Sequence, residues 1–206
     1  MTVMLVTQYS GGALEQVAGA GHGLKPIVVR AGALFYRIGQ IFAGDAPGAW
    51  VAARGYADWA ALGQAQQTLA RDAEYQGKMA AIASFTRPVG RAMYQFVFAS
   101  GTVPSGGGAV SAVTFYKGGS LGDVRAAAPD ASAFLLGFGA SDYSLSRVTA
   151  GLRAGQWMVT VRCADWASYG AVQDKAAADP GFNTLLARVA GWADMTERLV
   201  VEWTDV

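Results

Sequence analysis

Arg54 and Tyr56 stand two residues apart in Ala49-Trp50-Val51-Ala52-Ala53-Arg54-Gly55-Tyr56, an apolar stretch that reads as a β-strand, so their side chains share one face. A guanidinium holds an anionic oxygen with several N–H donors at once, and a phenol donates a proton or a hydrogen bond to the same oxygen. That pairing makes Arg54 and Tyr56 the catalytic candidates, with Arg37, Tyr94 and His22 as further pocket candidates. The alternative for the two arginines and two tyrosines is a place at a strand end or rim, facing water. His22 is the only histidine, and a lone imidazole could serve as a general base or an axial ligand. It lies in Gly19-Ala20-Gly21-His22-Gly23, however, which reads as an exposed loop. Cys163 is the only cysteine and has no histidine beside it, so it reads as a small buried hydrophobe. One thiol excludes an internal disulfide and any multi-cysteine metal site. No metal and no cofactor are expected. The glycine-rich stretches carry neither the glycine–lysine phosphate loop nor a GxGxxG between strand and helix, which argues against nucleotide binding.

The elements that must position these residues occur twice. Ala57-Asp58-Trp59-Ala60 returns as Ala164-Asp165-Trp166-Ala167, an offset of 107 that runs without a gap along the chain. Gly44, Gly48 and Trp50 return as Gly151, Gly155 and Trp157, while Gly63, Gln66, Asp72 and Arg91 return as Gly170, Gln173, Asp179 and Arg198. The tryptophans matched in both copies read as core material. Arg91 and Arg198 read as an exposed symmetric pair opening the last strand. The expected organisation is a first repeat over residues 1–99, a Gly/Ser-rich linker over 100–109 and a second repeat over 110–206.

Each copy reads as strand, helix, two strands joined by a short glycine-containing turn, a helix and a final strand. Pro26 and Pro129 suggest that the first helix is short or irregular. Asp58 and Asp165 sit where the second helix should be N-capped, and Asp72 and Asp179 where it should break in two. This is the βαββαβ order of ferredoxin-like units. The strands are apolar on both faces, so each sheet needs a second layer, and an identical unit supplies it. The fold class is therefore α+β, two tandem ferredoxin-like units packed sheet to sheet.

The run Trp157-Met158-Val159-Thr160-Val161 leading into Asp165-Trp166-Ala167, then Asp179-Pro180-Gly181-Phe182, resembles the dimeric α/β-barrel superfamily, which includes antibiotic-biosynthesis-monooxygenase-like proteins. Residues Trp50 to Asp72 repeat the pattern more loosely. The resemblance implies a single-chain version of a barrel otherwise built by two subunits. It also implies one of several activities: cofactor-free oxygenation of aromatic polyketides, isomerisation or haem degradation. The helical histidine of the haem-degrading branch has no counterpart here.

Where the copies differ, the first often keeps the polar or aromatic group: Arg37 against Ser144, Arg54 against Val161, Tyr56 against Cys163, Tyr94 against Val201. One half could thus hold the working pocket. Of 206 residues, 52% are hydrophobic and 15% charged, with a net charge of +1 and no Lys/Arg run, so nucleic acid is not an expected partner. No apolar run reaches the roughly 18 residues of a membrane span. A cytoplasmic protein is expected, feasible as a monomer, with further self-association open. The readings to be weighed are a cofactor-independent oxygenase or isomerase acting on a small hydrophobic or aromatic molecule between the sheets, a non-catalytic binder of such a molecule or of haem, and a structural or stress-associated barrel.

Overall fold

The computed structural model describes residues 2–104 and 106–206; Ser105, within the expected linker, lies outside the described residues. The first half contains β1 (Val3–Ser10), α1 (Leu14–Arg30), β2 (Phe35–Ala43), β3 (Trp50–Tyr56), α2 (Trp59–Arg71), α3 (Ala73–Ile82) and β4 (Arg87–Gly101). The second half repeats the order with β5 (Val110–Gly118), α4 (Leu121–Phe138), β6 (Asp142–Gly151), β7 (Trp157–Cys163), α5 (Trp166–Ala178), α6 (Pro180–Ala190) and β8 (Ala193–Thr204).

Within each half the strand order is fourth-first-third-second. The halves join edge to edge through β2–β8 and β4–β6, closing one antiparallel barrel in the order β1-β3-β2-β8-β5-β7-β6-β4. Closure removes every exposed sheet edge, which is why two half-barrels with bare edges and bare inner faces associate. Alternation along the strands then sorts side chains into two layers. Trp50, Ala52 and Tyr56 of β3 pack under the helices with Val3, Leu5, Val17 and Leu24. Val51 and Ala53 face the barrel interior with Tyr94, Val113, Phe115 and Val201. A third cluster, including Val124, Trp157, Val161, Cys163 and Phe182, fills the helix layer of the second half.

The first helices are longer than their prolines suggest. α1 runs 17 residues through Pro26 and α4 runs 18 through Pro129. Both prolines lie on exposed helix faces, where each removes one backbone hydrogen bond without disturbing the buried stripe. That stripe (Val17, Gly21, Leu24, Ile27 and Val28 in α1) holds the helix against the sheet. The second helix is divided in both halves. Asp58 and Asp165 accept hydrogen bonds from Ala61 N and Ser168 N at 2.8 and 2.7 Å. Asp72 and Asp179 do the same for Tyr75 N and Phe182 N at 2.9 and 2.8 Å. The matched tryptophans are structural in equal measure: Trp50 donates to Gly12 O at 3.3 Å and Trp157 to Gly119 O at 3.2 Å. Among the described residues no helix is long and apolar enough to cross a membrane.

Candidate functional site

A cavity of about 370 Å³ occupies the barrel interior. Its middle is apolar, walled by Val6, Val51, Val113, Met158 and Val201 with the rings of Phe115 and Trp203. This volume lies in the range of small-molecule sites, and apolar walls with few polar groups are their usual lining.

The polar groups gather at the two ends. At one end β6 begins and β7 finishes, and the cross-strand partners Asp142 and Arg162 form an ion pair, Arg162 Nη1 to Asp142 Oδ2, at 2.9 Å. Both side chains are withdrawn from water, 5% exposed for Asp142 and 13% for Arg162. Arg37, on the facing strand β2, lines the same end and donates from Nη2 to Pro104 O of the connecting segment at 2.8 Å. Ser144 and Thr160 add buried hydroxyls. Burial raises the Asp142 carboxyl above its ordinary pKa, and the two guanidinium groups pull against that rise. The same burial pushes both Arg37 and Arg162 below the usual guanidinium range.

The other end lies under the turn between β6 and β7. Arg153, at φ 65° in the left-handed region, pairs with the buried Glu197 and lays its guanidinium 4.6 Å from the Phe115 ring centroid. Tyr94 is buried near this end, its phenol pushed up to about 12 by burial, so it remains a neutral donor at ordinary pH. Arg91 and its repeat partner Arg198 are both exposed; Arg91 also lines the cavity and donates from Nε to Thr7 Oγ1 at 3.3 Å, and Arg198 donates to Gln173 Oε1 at 2.6 Å.

The candidates read from the sequence are therefore divided. Arg37 and Tyr94 line the cavity, at opposite ends. Arg54 and Tyr56 do share a face, but it is the face under the helices, set by alternation with Trp50 and Ala52, and neither lines the cavity. Arg54 is buried and donates from Nη2 to Tyr75 Oη at 3.2 Å, with Tyr9, Tyr36 and Tyr56 around it. His22 belongs to helix α1 and not to a loop; it is exposed there and does not line the cavity. Cys163 is buried, its thiol raised to about 11. Among the described residues no group of three His, Cys, Asp or Glu side chains is placed to hold a metal ion.

Sequence reasoning does not single out Asp142 and Arg162. They occupy the repeat positions of Phe35 and Gly55, which are likewise cross-strand partners. In the first half the Phe35 ring fills the space over Gly55 so closely that a Cβ on Gly55 would meet it at 2.1 Å. The second half places a carboxylate and a guanidinium in that same space.

No protein-family model matches the sequence, and no curated protein matches it. Solved structures do share its shape. A Fusobacterium nucleatum protein provisionally described as a monooxygenase superposes with a TM-score of 0.67 at 10% identity, covering 99% of this chain and 93% of its own. An anthrone oxidase-like protein gives 0.59 at 10% identity, covering 98% and 91%. A heme-binding protein from Thermus thermophilus gives 0.58 at 14% identity, covering 99% and 91%. At such identities the likeness concerns architecture alone. The chain shares its fold with these proteins, an eight-stranded antiparallel barrel with helices outside it, closed within a single polypeptide.

Proposed function

We propose that the barrel interior binds a small, largely apolar or aromatic substrate, and that the chain acts on it as a cofactor-independent oxygenase or isomerase with Asp142 as the proton acceptor. The observation that carries this reading is a buried carboxylate, bracketed by two arginines, at one end of a cavity whose middle is apolar. Desolvation strengthens Asp142 as a base, while Arg162 keeps it ionised and ready to accept. A proton leaves an acidic C–H or O–H of the substrate for Asp142. The negative charge left on the substrate oxygen is held by guanidinium N–H donors in a site of low dielectric, where such contacts act most strongly. An isomerase returns the proton to another carbon. An oxygenase instead lets the carbanion add to dioxygen from solution; the resulting peroxide takes the proton back from Asp142 and loses water, leaving a ketone at that carbon. The fold shared with proteins described as monooxygenase or anthrone oxidase-like agrees with the second course.

The test is dioxygen uptake with 1,8-dihydroxyanthrone, whose doubly benzylic C–H is acidic. Wild-type protein should consume dioxygen in step with substrate, and Asp142→Asn should slow turnover by roughly 10²- to 10⁴-fold, the usual contribution of a general base. Turnover unchanged in Asp142→Asn would remove that residue from the mechanism. Saturable binding without turnover would instead favour a carrier or sequestering role, which the lack of a second carboxylate on the cavity wall among the described residues also suits.

A further inference from the structure

The end of the cavity at Asp142 is charged out of balance. Its charged side chains are two guanidinium groups, Arg37 and Arg162, and one carboxylate, Asp142. Arg162 gives Nη1 to Asp142, but its buried Nε has no acceptor among the described residues. Arg37 gives Nη2 to a neutral carbonyl, Pro104 O, and reaches no carboxylate within ion-pair distance among the described residues. A guanidinium offers five N–H donors in a planar fork, so both arginines keep donors unspent. Arg162 is withdrawn from water and Arg37 is half-buried, so this positive excess is relieved when something negative joins it.

The fold does not require the charge. The equivalent corner of the first half is Phe35 over Gly55, neutral and closed by packing. The second half instead places there an ion pair with one unspent donor, Arg162 Nε, next to an apolar chamber.

From this arrangement, and resting on the reading that the cavity is the ligand site, we infer that the site takes an organic monoanion: a ring-sized apolar body bearing one anionic oxygen head, a carboxylate or the enolate of a substrate that has lost its proton to Asp142, which takes the Arg162 Nε and the free donors of Arg37. The body lies along Met158, Val113 and Phe115. Asp142 remains beside the head as the group that a bound carboxylate competes with for Arg162. Burial already depresses both arginines, and an anion would reverse that depression.

Two matched probes separate the head group from the body: 2-naphthoate and its neutral counterpart 2-naphthalenemethanol, titrated calorimetrically into the full chain. Naphthoate should bind at least about tenfold more tightly than the alcohol, as expected for a charge-assisted bidentate contact. Arg37→Ser, which installs the residue of the second half's equivalent position, should weaken naphthoate by about tenfold and leave the alcohol unchanged, the alcohol also reporting that the variant is folded. Asp142→Asn should tighten naphthoate, the opposite of its expected effect on turnover. Equal affinities for the two probes, or an Arg37→Ser loss shared by both, would overturn the monoanion while leaving the cavity as a binding site. Failure of folded wild-type protein to bind either probe would overturn the cavity reading itself.

Discussion

At the spot where the first half stacks Phe35 over Gly55, the second half pairs Asp142 with Arg162; where the second half packs Val161, Cys163 and Phe182 beneath its helices, the first half holds Arg54, Tyr56 and Tyr75. At these matched positions the two halves thus place polar residues in different layers, although the first half also sends Arg37 and Tyr94 to the cavity. The first half's cluster lies between sheet and helices, away from the cavity, and is satisfied partly by the Arg54–Tyr75 hydrogen bond. The second half's pair opens on the barrel interior. One backbone plan, used twice, separates a buried structural network from a cavity-facing site by a single step in strand alternation.

The sharpest way to break the contrast is to remove the cation from the second half. Arg162→Leu leaves Asp142 buried without its counter-ion and should cost about 3–5 kcal/mol near neutral pH. Because burial raises the folded-state pKa of Asp142, its favourable contribution is fully present below the ordinary carboxylate value and is lost as pH rises through the raised one. Arg162→Leu should extend that loss to higher pH, and Asp142→Asn should abolish it. Urea unfolding across a pH series reads both.

In the first half, Tyr75→Phe copies the second half's Phe182 and takes away the acceptor of the buried Arg54 guanidinium, a loss of about 1.5–3 kcal/mol. The cavity should be unaffected, so 2-naphthoate affinity should not move. Gly55→Ala pushes a methyl group into the Phe35 ring and should cost about 1–3 kcal/mol, much of it recovered in a Phe35→Ala background. The smallest effects should be the most symmetric: Asp58→Ala and Asp165→Ala each remove one helix N-cap and should each cost about 1 kcal/mol. A marked inequality between them would mean that the two helix layers differ in more than their polar cores.

Much of the fold is legible in the sequence because the repeat doubles every signal. Ala57-Asp58-Trp59-Ala60 and its copy mark the strand-to-helix junction, and Asp72 with Asp179 mark the break between the paired helices. The first helices exceed their sequence expectation because Pro26 and Pro129 count locally as breakers, whereas tertiary packing of the opposite face carries each helix past them. The same local weighting turns His22 into a loop residue. For the site, the offset comparison is informative in both directions, and a search for polar groups kept by the first half uses only one of them. In the other direction Asp142 stands opposite Phe35 and Arg162 opposite Gly55, two charges gained on adjacent strands. Which face of β3 meets the barrel interior is decided by closure with the other half, and no local pattern in a strand buried along its whole length reveals it.

The most direct test is a crystal structure of the full chain grown with 2-naphthoate. A cavity-bound monoanion predicts the naphthalene ring inside the barrel beside Met158 and Phe115, with its carboxylate within hydrogen-bonding distance of Arg162 Nε and Arg37. A ring seated instead in the first half's helix layer next to Arg54, with the barrel interior free of it, would contradict that assignment.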